Sequence, residues 1–515
     1  MTQRALSLPE IRDHIGIFLS KNALLNCILV SQDWYRSFEP YLYYGILTPQ
    51  SDTSMIYWPP LDRFGPKYEN EGYARHVRRL ALNSDTPAEY LVPNYINLEY
   101  LQLFNPLFRT INLESLTTIE VHRNRIADFV QRHHTNLEHV KVMGYNGPIS
   151  KNFWDLLTTN SMFPKLRKIT IQPNMEGPES NRQHSHTLHM DADISELFWK
   201  ACTKLKSLEL QDFRPAVPDQ HAWPEFPHLE NLFMLDTTGW KVSKQAAMLG
   251  LLAQSPQLKC LSWVLNFDEY LPSTEAEDLH QGALTNAQII EGMAGIATSH
   301  QLQSLECLEL TLYPDTHTPE TMSTAVSKAM ATFLNALATP LSVLHIDNFD
   351  FDAVRSFPSL QRHLVGLRDL NIGLPEAESS QMRLRLLIEV DPEETTEYKT
   401  YRDQQLFALK ALSNLTWLES INLSGRWNDE ELQKFIGVEQ ELKSARYNEA
   451  YRLDLRVCQS LGYLDNLKNL SYIYFWIGPV WEDDEIMWAM EYWPNLRDVG
   501  SVYPEAMEDC DVDMQ

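Results

Sequence analysis

Fourteen times along this chain an apolar residue is followed by two variable residues, an apolar residue, one variable residue and a further apolar residue. The phrase reads HVRRLAL at 76–82, NLEYLQL at 97–103, SLTTIEV at 115–121, NLEHVKV at 136–142 and KLRKITI at 165–171. It continues as KLKSLEL at 204–210, HLENLFM at 228–234, QLKCLSW at 257–263, SLECLEL at 304–310 and PLSVLHI at 340–346. GLRDLNI at 366–372, WLESINL at 417–423, NLSYIYF at 469–475 and a degraded NLRDVGS at 495–501 complete the series. The last three positions alternate with period two, so each phrase predicts a short strand with one buried face. A strand of this length cannot bury that face alone and must stack on its neighbours.

The phrase resembles the strand segment of leucine-rich repeats. Regular repeats of that kind run about 20–29 residues, whereas the spacing here ranges from 18 to 52. The irregular intervals imply insertions or unrecognised repeats, notably across 374–416 and 424–468. Between the phrases lie helical patterns. IADFVQRHH (126–134) places Ile126, Phe129, Val130 and His133 on one face, and 322–338 carries Ala325, Met330, Phe333, Leu334 and Leu337 at helical spacing. Strand and helix in short alternation predict an α/β fold, a leucine-rich-repeat solenoid made of a curved parallel sheet with outer helices. Its expected span is 75–503, after a connector at 46–74 and before an acidic tail at 504–515.

The opening stretch, LSLPEIRDHIGIFLSKNALLNCILVSQDWYRSF (6–38), lies before the first phrase. Ser7 and Glu10 have capping-box spacing, and Pro9 suits a first helical turn. Ile11, Ile15, Phe18 and Leu19 then share a face. Asn22 is positioned to cap a second helix containing Leu24, Leu25, Ile28 and Leu29, and Ser31 a third carrying Trp34, Tyr35 and Phe38. Three short helices within residues 1–45 form too small a core to be secure alone.

These residues resemble the F-box motif: Leu8-Pro9 opening, Ile11 and Ile15 following, Leu19 closing the first helix, then Leu24-Leu25, Val30-Ser31 and Trp34. The stretch departs from the motif at Arg12, where an apolar residue is usual. With the repeats behind it, the chain is similar to fungal-type F-box/leucine-rich-repeat proteins. That resemblance implies docking on a Skp-type adaptor, and through it on a cullin–RING ubiquitin ligase, with the repeats holding a protein substrate. Carried over by the motif, the adaptor contacts are Leu8, Pro9, Ile11, Ile15, Leu24, Leu25 and Val30, while Trp34 braces the module's own core. The bland alternative makes the helices a cap over the first repeat of a leucine-rich-repeat scaffold or regulator. The residues alone support only a helical module that exposes apolar side chains.

Charge narrows the partners. Asp and Glu number 69 against 43 Lys and Arg, a formal net charge of −26, which opposes binding to phosphate backbones or anionic membranes. No apolar run approaches the roughly 18 residues of a membrane span, and the start has no secretory pattern. The six cysteines are scattered, which favours reduced thiols and a cytoplasmic or nuclear setting. Phosphate-loop, dinucleotide, zinc-protease and nucleophile-elbow motifs are absent, so no catalytic residue, metal or cofactor is assigned and a non-catalytic role is expected. His184, His186 and His189, with Asp191 and Asp193, read better as a polar loop than as a metal site.

The residues flanking each middle apolar position point to the face opposite the core. From Ser207 onward that face carries no Lys or Arg. It includes Phe233, Glu309 and Asp369, and ends in Tyr472 and Tyr474 with Trp476 beyond. Aromatic side chains offer large contact area at low entropic cost. These six residues are the expected substrate contacts. The competing reading makes YIYFW a β-favouring strand covered by the C-terminal segment.

Overall fold

The computed structural model describes residues 8–16, 19–42, 45–47, 78–82, 98–103, 118–122, 135–143, 151–158, 163–172, 188–189, 192–211, 213–218, 222–235, 242–265, 286–299, 301–312, 321–350, 364–373, 410, 412–422, 465–475, 489 and 491–501. Met1–Ala216 and Val217–Gln515 are separate compact units. The expected helix at 126–134, the Ser7 cap and the acidic tail lie outside the described residues.

The first unit begins with three helices, α1 (Pro9–Gly16), α2 (Lys21–Ile28) and α3 (Gln32–Leu42). Ser20, not Asn22, caps α2: its Oγ accepts from the Ala23 N–H at 3.3 Å. Ser31 Oγ accepts from the Trp34 N–H at 3.2 Å and caps α3. Strands β1 (Gly45–Leu47), β2 (Arg79–Leu82), β3 (Tyr100–Leu103), β4 (Thr118–His122), β5 (His139–Met143), β6 (Lys168–Gln172) and β8 (Ser207–Gln211) follow, each parallel to the next. β7 (Leu188–His189) pairs with β9 (Phe213–Arg214) in a small sheet of its own, so His189 belongs to a strand rather than to a loop. Ile46 and Leu47, expected within a connector, instead form with Gly45 the first strand of the sheet.

The second unit holds β10 (Asn231–Leu235), β11 (Cys260–Leu265), β12 (Cys307–Leu312), β13 (Val343–Asp350), β14 (Asp369–Gly373), β15 (Ser420–Asn422), β16 (Tyr472–Phe475) and β17 (Asp498–Ser501). These also pair in parallel and in chain order. Every one of the fourteen phrases therefore contributes a strand. The long intervals hide no further rung: β11 pairs directly with β12, β14 with β15, and β15 with β16. Residues 374–416 and 424–468 are insertions between neighbouring rungs.

One backbone device recurs at nine of the steps among the described residues. The carbonyl at the first variable position of a phrase accepts from two successive N–H groups of the next phrase. Glu138 O takes Arg167 N at 2.8 Å and Lys168 N at 3.0 Å; Lys259 O takes Glu306 N at 2.8 Å and Cys307 N at 2.9 Å; Arg368 O takes Glu419 N at 2.7 Å and Ser420 N at 2.9 Å. A tight turn precedes the strand, as in Leu205 N to Cys202 O at 3.0 Å and Leu367 N to Leu364 O at 3.0 Å. Each turn delivers the opening leucine of its phrase into the core, and Leu166, Leu205, Leu258, Leu305, Leu367, Leu418 and Leu470 are all buried. The middle apolar positions, Val140, Ile169 and Leu208 in one unit and Leu261, Leu308, Leu344 and Leu370 in the other, are buried as well. Each such side chain contributes about 1.5–3 kcal/mol by leaving water.

Helices between the strands supply the rest of the core. In the first unit α4 (Lys151–Thr158) and α5 (Ala192–Cys202) meet through a run of aromatic rings. Phe153–Trp154, Trp154–Phe198 and Phe198–Trp199 pack edge to face, with centroids 4.9, 4.9 and 4.6 Å apart. In the second unit α6 (Val242–Ala247), α7 (Leu249–Ala253), α8 (Asn286–Thr298) and α9 (Thr321–Ala336) fill that role. Met330, Phe333, Leu334 and Leu337 lie inside as the periodicity predicts, but Ala325 is exposed and Val326 is the buried neighbour.

The helical module depends on one close approach. An added Cβ on Gly16 would sit 2.6 Å from Tyr41 Cδ2 and 2.8 Å from Cε2, against the wall of a ring. Gly16→Ala gains at most about 1 kcal/mol of helix propensity and costs about 1–3 kcal/mol of overpacking, so the clash wins. Faster proteolytic cleavage within residues 9–42 of the variant is the expected outcome, measured on the full chain.

Candidate interaction surfaces

The module's own core is small. Leu24 and Phe38 are its buried centre, with Leu19, Cys27, Ile28, Trp34 and Tyr41 packed around them, and the Trp34 and Phe38 rings lie 5.4 Å apart. Leu24 is thus a core residue rather than a surface contact: it is 5% exposed and has no face left to offer a partner. Trp34 packs against that core. The turn of α2 explains the split. Leu24 and Ile28 form one i,i+4 stripe facing α3, and Leu25 and Leu29 form the next stripe, facing solvent.

Leu25, Leu29 (82% exposed) and Val30 (62%) stand out together at the end of α2, with Leu8 exposed at the start of α1. Ile11 and Ile15 are partly buried, and the side chain of Pro9 lies outside the described residues. Leu29 and Tyr35 are exposed apolar positions that the motif did not single out, although the i,i+4 partnership of Leu29 with Leu25 marks it. Tyr35 Oη donates to Glu39 Oε1 at 2.7 Å, which fixes that ring on the outer face of α3. Arg12, at the position where the motif usually has an apolar residue, is buried.

The second surface is the ladder of residues on the strands. In the first unit the flanking positions align in two columns, Arg79–Tyr100–Thr118–His139–Lys168–Ser207 and Ala81–Gln102–Glu120–Lys141–Thr170–Glu209. Thr170, 1% exposed, ties three strands together. It donates to Glu209 Oε2 at 3.1 Å and stands 3.0 Å from His139 Nε2. Its single proton goes to the carboxylate, so His139 Nε2 must be the protonated nitrogen and donate to Thr170 Oγ1. Lys168 Nζ reaches the same Glu209 oxygen at 3.2 Å.

In the second unit the columns are Asn231–Cys260–Cys307–Val343–Asp369–Ser420–Tyr472 and Phe233–Ser262–Glu309–His345–Asn371–Asn422–Tyr474. Five expected substrate contacts therefore lie on one ladder: Phe233, Glu309 and Tyr474 share a column, and Asp369 and Tyr472 share its neighbour. Trp476 lies outside the described residues. His345 stands between two carboxylates, its Nδ1 3.8 Å from Glu309 Oε1 and its Nε2 3.3 Å from Asp369 Oδ1. Burial pushes the Asp369 carboxyl up. The His345 ring and the Ser420 hydroxyl outweigh that and hold it below the usual carboxylate range. Neither carboxylate column position has a Lys or Arg beside it in register.

Chemically, the ladder can grip a ligand through carboxylates, amides and tyrosines. Compared with known proteins, the chain matches no family profile and no curated sequence. Among solved structures it is similar to the yeast Rad7 and Elc1 complex, at 13% identity and a TM-score of 0.37, covering 86% of this chain and 83% of that one. It is also similar to an LRR protein of Leptospira interrogans, at 13% identity and a TM-score of 0.24, covering 84% and 97%.

Asp369 gives the ladder a pH signature. A carboxyl held down in the folded state adds stability above its unfolded value near 4, and that stability is lost as pH falls through the lower folded value. The urea midpoint of Asp369→Asn is expected to lie below that of the native chain at about pH 6. The gap is expected to close towards about pH 3. An unchanged gap contradicts the assignment.

Proposed function

We propose that this chain is a non-catalytic substrate receptor of an SCF-type cullin–RING ubiquitin ligase. The N-terminal helices dock on a Skp-type adaptor, and the ladder of the second unit holds a protein substrate. The observation that carries the reading is the bare apolar face of Leu25, Leu29 and Val30, on a module whose core is already closed by Leu24 and Phe38. An amphipathic helix end of this kind suits helix-in-groove docking. The F-box resemblance of 6–44 supplies the partner class. Acting inside the cell, in cytoplasm or nucleus, such a receptor breaks and makes no bonds. It raises the effective concentration of its substrate near the ligase.

The substrate side follows from chemistry. Glu309, Asp369, Tyr472 and Tyr474 suit a protein segment bearing basic and apolar side chains, whereas the unbalanced negative charge disfavours nucleic acid. Phe233 extends the same ladder.

Co-purification of the full chain with a Skp-type adaptor tests the reading. Leu25→Asp with Leu29→Asp should weaken capture at least tenfold, about 1.4 kcal/mol, while leaving thermal unfolding unchanged, because both residues are exposed. Failure of the folded native chain to bind would replace the receptor with a leucine-rich-repeat scaffold. Tyr472→Ala with Tyr474→Ala should lower substrate capture and leave adaptor binding intact.

A further inference from the structure

Two thiols stand side by side on the ladder of the second unit. Cys260 opens β11, Cys307 opens β12, and the two are direct register partners, followed by Leu261↔Leu308 and Ser262↔Glu309. Their backbones are held in place: Cys260 N donates to Glu230 O at 3.0 Å and Cys307 N to Lys259 O at 2.9 Å. Hydrogen-bonded neighbouring strands lie about 4.8 Å apart, inside the roughly 4.4–6.8 Å Cα range of a disulfide. Both side chains are free thiols, partly exposed, and on the same face.

We propose that Cys260 and Cys307 form an oxidation site for hydroperoxides, in which Cys260 is oxidised first and Cys307 resolves it into a reversible inter-strand disulfide. The Cys260 thiolate attacks the distal oxygen of the hydroperoxide. The O–O bond breaks and takes up two electrons, leaving a sulfenic acid on Cys260 and an alkoxide, or hydroxide from hydrogen peroxide, which is protonated by water. Cys307 then gives up its proton and attacks the sulfenic sulfur. Hydroxide leaves and takes that proton, so two thiols and one hydroperoxide become one disulfide, one alcohol or water, and a further water.

The order of events follows from the pair itself. A hydrogen bond from the Cys307 thiol pulls Cys260 below the ordinary thiol range, against burial and the nearby Glu309 charge. The same bond, with burial, pushes Cys307 far up, which makes Cys260 the readier of the two to lose its proton. The other described cysteines lack this arrangement. Cys202 is fully buried and pushed well up by that burial, and burial also raises Cys27. Closing the bond draws the Cβ atoms inward by about 1 Å from strand spacing to the roughly 3.8 Å they need. Such a bond is easily reduced, which suits a reversible modification.

The test uses the full chain and graded hydrogen peroxide. Peptide mapping should find Cys260 joined to Cys307 with an intact mass about 2 Da lower, reversed by dithiothreitol. In Cys307→Ser, Cys260 should accumulate as a sulfenic acid trapped by dimedone. In Cys260→Ser, Cys307 should remain a thiol under the same treatment. The proposal is overturned if Cys260 in the native chain reacts no faster than Cys27. It is overturned equally if Cys260 proceeds to sulfinic acid without forming the link. The native-chain map decides the matter whatever the variants' stability.

Discussion

The register of the sheet depends on a backbone carbonyl that, at nine steps among the described residues, accepts two N–H groups from the rung that follows. That bifurcated bond fixes where each strand starts relative to the last. With period-two side chains, a slip of one residue would turn every leucine outward. Glu138, Lys259 and Arg368 hold these carbonyls although their side chains are unrelated, because the constraint lies in the main chain. The side chains at this position are free to vary and in places pair across rungs, as Arg78 does with Glu99 at 2.8 Å and Lys259 with Glu230 at 3.2 Å. Exposed pairs of this kind add little stability.

Fixing the register has a functional consequence. It converts positions far apart in sequence into columns a few ångströms apart. Asp369, Ser420 and Tyr472 become neighbours across intervals of about fifty residues, and His345 comes to lie between Glu309 and Asp369. Insertions between rungs leave the columns unbroken because the strands on either side still pair directly. Exposed positions on such a ladder can be substituted without cost to the core behind it. The helical module is built on the opposite plan. Its buried centre is two residues, Leu24 and Phe38, and Leu8, Leu25, Leu29, Val30 and Tyr35 are left exposed around it.

The strands were the legible part of this chain. Alternation in SLECLEL or KLRKITI is a local signal, and local signals survive without a structure. The columns were legible for the same reason, since equal phase in each phrase means equal face in the sheet. What could not be read was set by long-range contact. Gly45–Leu47 is too short to show a period and becomes a strand only because Arg79–Ala81 lies beside it. Leu24 and Leu25 are adjacent and chemically identical, and only the position of Phe38 decides which of them is buried. Ser20 and Asn22 were both competent caps, and the first turn of α2 starts one residue after Ser20. The choice between Ala325 and Val326 likewise waited on where α9 meets its neighbours.

The central claim is a division of labour: apolar helices take the adaptor, and the strand ladder is left open for something else. Amide hydrogen exchange on the full chain, free and with a Skp-type adaptor, tests it most directly. The account predicts slowed exchange in peptides spanning 21–42 and no change in the strands β10 to β16. Slowing in the strands with none in the helices would contradict it.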